Sequence, residues 1–303
     1  MIRTINDVYL DLRTEFRKKG IAGYQIEARE LVAFALDLDY EEFYNRRNQY
    51  IFDKDVQKIE ELKALRYSGV PLQHITGRWE FYGLPLEVTT DTLIPRPDTE
   101  TLVEVGIDLL KDRSKGRVLD LCCGTGCVGL AVLKNVGDGI TGVFADLSEP
   151  ALEVTRRNIV HNSLSHRSLT YPVDALAEPS PVLGKFHLIV CNPPYIPTAE
   201  IMTLDVEVQK EPHMALDGGD DGLDFYRAVS RNFSAALNKG GALAFEVGLG
   251  QFEDVMAIME EAGYKNLQVR CDLAGIERVV WGTWEPKEWA ICPLTIPIIC
   301  PGS

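Results

Sequence analysis

No apolar stretch in the 303 residues is long enough to cross a bilayer; Gly, Pro or a charge interrupts every candidate. The amino terminus, Met1 to Asp7, has no long apolar segment either, so no secretory signal is expected and a reducing, cytoplasmic setting is. Positive charge is scarce. Lys and Arg number 31 against 45 Asp and Glu, for a net charge of −14. Phosphate binding needs clustered cations, so bare duplex DNA is a poor candidate partner. Cysteine is present but unpatterned. Cys122 and Cys123 are adjacent, and no C-x-x-C pair recurs at zinc spacing, so no metal site is expected. Most of the seven cysteines read as small buried hydrophobes. Cys292 and Cys300 lie in an odd tail and are expected at the surface. His74, His161, His166, His187 and His213 form no triad with a Ser or Cys at readable spacing.

What remains is ordinary for a globular protein: 46% hydrophobic and 25% charged residues. The length suggests one large or two modest domains. Ile5, Val8, Tyr9, Leu12 and Phe16 fall on one helical face. Gly20 and Gly23 break that pattern. A second helix is expected over Ala28 to Leu38, and a third from a cap near Asp53, ended by Gly69 and Pro71. Residues Arg78 to Val88 read as a hairpin turning at Gly83 and Pro85. A stiff segment, Leu93 to Glu100, runs into a helix over Thr99 to Leu110. From Gly116 onward strands and helices alternate. Strands are expected over Arg117–Leu121, Thr141–Ala145, Leu169–Pro172, His187–Cys191 and Ala242–Val247. Helices are expected over Cys127–Asn135, Pro150–Asn162 and Leu223–Leu237. This alternation argues a doubly wound α/β sheet. Asn266–Arg270 and Arg278–Trp281 add an antiparallel closing pair, which makes seven strands. The expected division is a helical domain over 1–75, a hairpin linker over 76–98, a catalytic domain over 99–283 and a Pro-rich tail over 284–303.

Two loops carry chemistry. Asn192-Pro193-Pro194-Tyr195 follows the apolar run Phe186 to Cys191, at the carboxyl end of a strand, where open α/β sheets place ligands. Asn offers one carbonyl acceptor and two amide donors. The prolines remove two backbone donors and leave carbonyls free to accept. Tyr adds a flat face. The set suits a planar NH2 group, with two acceptors for its hydrogens and a ring for its face. Asp120 to Gly129 follows the first strand and contains Gly124, Gly126 and Gly129, a literal G-x-G-x-x-G that alone is a weak signal. Asp146 ends the next strand, 20 residues after Gly126, where a carboxylate accepts from ribose hydroxyls. NAD and S-adenosylmethionine both fit such a loop. Asp120 favours the second, because a pyrophosphate wants bare amides whereas a carboxylate suits a sulfonium or amino group. Val173-Asp174-Ala175 is placed either to meet an adenine edge or simply to turn the chain.

Asn-Pro-Pro-Tyr beside this loop is similar to amino-group methyltransferases that use S-adenosylmethionine. More narrowly, the chain resembles the HemK/PrmC family, which methylates the glutamine of the Gly-Gly-Gln motif in peptide chain release factors. The segments that carry the resemblance are Pro71 to Gly77, Phe81 to Leu84, Ile94 to Glu100, Asn192 to Pro197, Glu211-Pro212, Ala215 to Gly219, Asp221 to Leu223 and Asp272 to Gly275. The resemblance covers about residues 1 to 283, including the amino-terminal helices. The resemblance implies a methyltransferase sheet joined by its hairpin to a small helical domain that recognises the substrate. Cys122, Cys123, Gly124, Thr125 and Gly126 match the cofactor loop, with Asp120 before it, and Asp146 the ribose ligand. Asp174 and Ala175 match the adenine neighbourhood, where Ala175 replaces a frequent aromatic. Cys122 and Cys123 replace the usual small residues, of little consequence if only backbone amides face the ligand. Asn192 matches both a cofactor-side residue and the substrate clamp it forms with Pro193, Pro194 and Tyr195. The partners so implied are release factors, with no direct nucleic acid, no membrane and a monomeric enzyme.

A glutamine amide nitrogen is a poor nucleophile because its lone pair is delocalised. The expected catalytic residues are Asn192 and Pro193, whose oxygens accept the two N–H bonds, and Tyr195, whose ring packs on the amide plane. Alternatives are an adenine-N6 methylase on DNA or RNA, an NAD-dependent oxidoreductase and a non-catalytic module. Phe81, Tyr82 and the Ile94–Glu100 segment either cover the cofactor or pack between domains. Arg96 is expected to pair with Glu100. Glu246, at a strand end, is expected to be structural.

Overall fold

The computed structural model describes residues 3–286. The chain opens with α1 (Ile5–Lys18), whose start is fixed by reciprocal bonds: Asp7 N donates to Thr4 Oγ1 at 3.1 Å and Thr4 N to Asp7 Oδ2 at 2.8 Å. Its buried face is Ile5, Val8, Leu12 and Phe16. Then come α2 (Tyr24–Leu36), α3 (Tyr40–Arg46), α4 (Asp53–Tyr67) and the single turn α5 (Leu72–Thr76). Two points correct the sequence reading. Phe52 occupies the cap of α4, and Asp53 is its first helical residue, where a carboxylate favours the helix dipole instead of capping it. The helix α3 was not expected. With seven residues it is too short for periodicity, yet Asp39 and Glu42 cap each other at its start. These helices share one apolar core, from Ile5 to Leu72.

Strands β1 (Arg78–Phe81) and β2 (Leu84–Glu87) form the expected hairpin. Tyr82 and Gly83 turn it with φ of 51° and 71°, the two positive values that a tight two-residue turn needs. A 3-10 turn over Pro97–Thr99 leads into α6 (Glu100–Leu110). The rest is β3 (Gly116–Leu121), α7 (Cys127–Asn135), β4 (Ile140–Asp146), α8 (Glu149–His161), β5 (Ser168–Pro172), β6 (Phe186–Cys191), α9 (Asp224–Asn232), β7 (Leu237–Glu246), α10 (Phe252–Ala262), β8 (Tyr264–Cys271) and β9 (Glu277–Trp284). The sheet runs β5-β4-β3-β6-β7-β9-β8. Its first five strands are parallel, and β9 is antiparallel to both neighbours. This is the seven-stranded methyltransferase sheet that was expected. The helix α10 was missed, although Val255 and Met259 bury one face of it. Trp284 belongs to β9 and packs on Tyr264 at 5.4 Å between ring centroids, so the tail starts later than expected. Its remainder, with Cys292 and Cys300, lies outside the described residues.

Each face of the sheet has its own core. One gathers α6, α7 and α8 with Phe81 and Leu86 of the hairpin. The other gathers α9 and α10. Asn158 of α8 holds the hairpin to the first strand's loop: it accepts from Glu87 N at 2.7 Å and donates to the carbonyls of Glu87 at 2.9 Å and Thr125 at 3.0 Å. Buried Arg66 joins Glu27 of the helical unit to Glu207, each at 2.6 Å. Among the described residues no helix is long and apolar enough to cross a membrane.

Candidate active site

Strands β3 and β6 are neighbours, although β4 and β5 intervene in the chain. Their register pairs Leu121 with Cys191, so Cys122 and Asn192 leave the sheet side by side at its carboxyl edge. On the other flank Leu121 pairs with Ala145, which sets Asp146 beside the same loop. The strand order reverses between β3 and β6, and such switch points open a crevice for ligands. A cleft of about 990 Å³, counting its open mouth, lies there.

The cleft gathers most of the expected residues. Cys122, Cys123, Gly124 and Thr125 line it; Gly126 does not. Asp120, Asp146, Asp174 and Ala175 line it too. From the tetrapeptide Asn192 and Pro194 reach it, whereas Pro193 and Tyr195 are not among its walls. The free thiol of Cys122 lies against that of Cys191, and the Cys123 thiol lies 3.6 Å from Thr155 Oγ1. The Cys191 thiol and then burial push the Cys122 thiol up, and burial pushes up Cys123, so both stay protonated.

Two carboxyls set the local charge. Asp120 is 3% exposed, and its Oδ2 accepts from Gly129 N at 2.8 Å. Burial pushes it up to about 8, and Asp146 adds to the rise; its nearest charged neighbour is thus another acid. Asp146 accepts from Gly124 N and Ser148 N, each at 2.9 Å, which orders the loop before any ligand arrives. Asp174 closes a turn by accepting from Leu176 N at 2.8 Å, and it also lines the cleft.

Asn192 Nδ2 donates to Thr99 Oγ1 at 3.4 Å, and the same amide lies near enough to buried Glu246 to lower its pKa. The carbonyl of Tyr195 accepts from Gln251 Nε2 at 3.0 Å, while Gln251 Oε1 accepts from Gly248 N at 3.0 Å. Gln251 therefore ties the tetrapeptide to the end of β7. The Tyr195 ring packs against the core formed by α9 and α10, and burial pushes its phenol up.

Arg96 pairs with Glu211, not with Glu100. The second oxygen of Glu211 accepts from Ile94 N at 2.8 Å, and Glu100 instead accepts from Tyr82 N at 3.0 Å. Glu211 is distant in sequence, so no local spacing pointed to it. Phe81 is buried in the main core and Tyr82 packs against that core. Leu93, Pro95, Arg96 and Thr99 of the following segment do line the cleft. Sequence reasoning gave no role to Pro212, Met214 and Phe225, which form its far wall. The Glu211-Pro212 pair was the available signal.

The fit to S-adenosylmethionine rests on the donor set. A Cβ added at Gly124 would meet nothing within 4 Å, so bare backbone faces the cleft there. Asp120 is a buried acid without a cation beside it, and Asp146 retains acceptor capacity for hydroxyls. Together, fold and cleft define an S-adenosylmethionine-dependent methyltransferase of the seven-stranded class. Residues 99–210 match the methyltransferase small domain, and residues 8–77 the PrmC N-terminal domain. A release factor glutamine methyltransferase of Bradyrhizobium diazoefficiens is 37% identical over 283 residues, covering 92% of this chain and 94% of that one. One of Clostridium botulinum is 34% identical, covering 91% and 98%. The hMettl16 catalytic domain, solved with the MAT2A 3′UTR hairpin 1, shares the fold at a TM-score of 0.55 and 13% identity, covering 85% of this chain and 92% of that one. The chain belongs to the release factor glutamine methyltransferase family.

Proposed function

We propose that the protein methylates the side-chain amide nitrogen of the glutamine in the Gly-Gly-Gln motif of release factors. S-adenosylmethionine supplies an electrophilic methyl group on a positively charged sulfur. Gly124, Thr125 and their loop neighbours would hold it by backbone contacts, Asp146 by its hydroxyls, Asp174 and Ala175 beside its base, and Asp120 by charge. Asn192 opens the tetrapeptide directly beside that loop. With its Nδ2 engaged by Thr99, its Oδ1 is left to accept from the substrate. That is the observation that carries the reading.

The Asn192 oxygen accepts one amide hydrogen, and the Pro193 carbonyl is the acceptor we assign to the other, although Pro193 does not line the cleft itself. The nitrogen is thereby turned toward the methyl group, and positive charge developing on it is stabilised by two fixed dipoles. Pro194 confines the amide from the cleft wall, and Tyr195 stiffens the turn through its buried ring and its bond to Gln251. Orientation supplies much of the rate, and the proton leaves to solvent after transfer. This scheme requires no metal. The helical unit over 1–75 recognises the release factor, 76–98 links it to the catalytic unit over 99–283, and one chain carries the whole site.

The test is labelled S-adenosylmethionine with a purified release factor and mass spectrometry of the Gly-Gly-Gln peptide. Wild type should add one methyl to the glutamine. Asn192→Ala should lose about 10²–10³-fold in rate, by analogy with removal of one preorganised dipole, while its melting point holds. Transfer to an oligonucleotide but not to the release factor would overturn the reading.

A further inference from the structure

An asparagine amide has two ends of nearly equal size, and only its partners decide which faces a substrate. At Asn192 that choice matters. If the NH2 end faced the cleft, two donors would confront each other, Asn192 and the substrate amide. The parallel register of β6 and β7 pairs Cys191 with Phe245, so the next residues, Asn192 and Glu246, end adjacent strands at one level. Glu246 is 1% exposed and Thr99 2% exposed. The Glu246 carboxyl lies close enough to the Thr99 hydroxyl and the Asn192 amide for both to draw its pKa down, and Thr99 Oγ1 accepts from Asn192 Nδ2 at 3.4 Å. An ionised carboxylate can only accept. It therefore polarises the hydroxyl toward itself and demands the NH2 end of Asn192. Among the described residues Glu246 Oε2 has no hydrogen-bond partner. Glu246 is not part of the cleft wall, so it does not meet substrate directly.

We infer that Glu246, together with Thr99, is a positioning residue that sets the flip of the Asn192 amide so that its oxygen faces the reacting nitrogen. This rests on the proposed role of Asn192. A protonated Glu246 acquires a donor and accepts the opposite flip equally well. Burial raises its carboxyl to about 7; Arg278, Thr99 and Asn192 oppose the rise, while Asp98 adds to it. The Cys127 thiol and the Tyr195 and Tyr226 phenols also face it. The active form is the ionised one, so kcat should fall as pH drops through about 7.

The experiment measures kcat against pH at saturating S-adenosylmethionine with a release factor substrate, and cofactor Kd separately. In Glu246→Gln, whose amide satisfies either flip, kcat should drop about tenfold with cofactor Kd nearly unchanged, and the limb near pH 7 should vanish. Thr99→Val should lose several-fold in kcat, and Thr99→Ser, which keeps the hydroxyl, should lose less. A Glu246→Gln enzyme with wild-type kcat and an unchanged limb overturns the inference while leaving the proposed function standing. Equal losses in kcat, cofactor affinity and melting point for all three variants also overturn it, because they mark a merely structural role. No transfer to the glutamine by wild type overturns the proposed function itself.

Discussion

Gly124 and Gly129 stand in one motif and answer to different constraints. At Gly124 φ is +53° and an added Cβ would point into open space, so the residue is there for backbone shape and ligand approach. At Gly129 an added Cβ would lie 2.5 Å from the Phe144 ring and 2.9 Å from Asp120 Cβ, deep in the sheet–helix contact. Gly129→Ala should therefore lower stability by about 1–3 kcal/mol through overpacking, read by urea denaturation. Gly124→Ala should cost less than that in stability but weaken S-adenosylmethionine binding, read by calorimetry. Equal effects of the two on both measurements would refute this division. The literal G-x-G-x-x-G spacing could not separate these roles. The separation depends on Phe144, which a different strand delivers.

At the scale of elements, what the sequence made legible was what repeats or recurs locally. The helix α7 was read with its exact bounds, Cys127–Asn135, because a glycine in the left-handed region precedes it and a continuous apolar run fills it. The five parallel strands were found as short apolar runs, and the tetrapeptide was placed correctly because β6 ends where its apolar run ends. Helices α3 and α10 escaped, the first for shortness and the second because it follows the last expected parallel strand. Long-range partners escaped altogether. The Arg96–Glu211 pair and the Thr99–Asn192 bond join residues 115 and 93 positions apart, and no spacing rule reaches that far. Asn158 belongs with them: from one helix it bonds to β2 and to the loop after β3. Asn158→Ala should strand three backbone or amide groups in a dry contact and cost about 2–4 kcal/mol. The hairpin should loosen first, seen as faster amide exchange at Glu87. Unchanged exchange there would show that apolar packing by Phe81 and Leu86 holds the hairpin alone.

The whole molecule is acidic, with a net charge of −14, and two of its acids, Asp120 and Glu246, are buried at or beside the site. In the unfolded chain Asp120 and Glu246 ionise near pH 4. In the folded protein burial holds Asp120 up to about 8 and Glu246 up to about 7. Between these limits the folded state keeps protons that the unfolded state has lost, so stability must fall as pH rises from about 4 to about 8. The sign is opposite to that of a salt-bridged carboxylate. For buried Asp120 the penalty is on the order of a few kcal/mol, held in reserve until a cation arrives. A positively charged ligand beside Asp120 favours its ionised form. Binding of S-adenosylmethionine at pH 7 should accordingly release protons, and its affinity should rise from pH 6 to pH 8. Calorimetry in two buffers of different ionisation enthalpy measures the release directly. Asp120→Asn should abolish most of it, flatten the affinity profile and make the ligand-free melting point less sensitive to pH. A wild-type titration without proton release would mean that Asp120 serves only to cap α7 through Gly129.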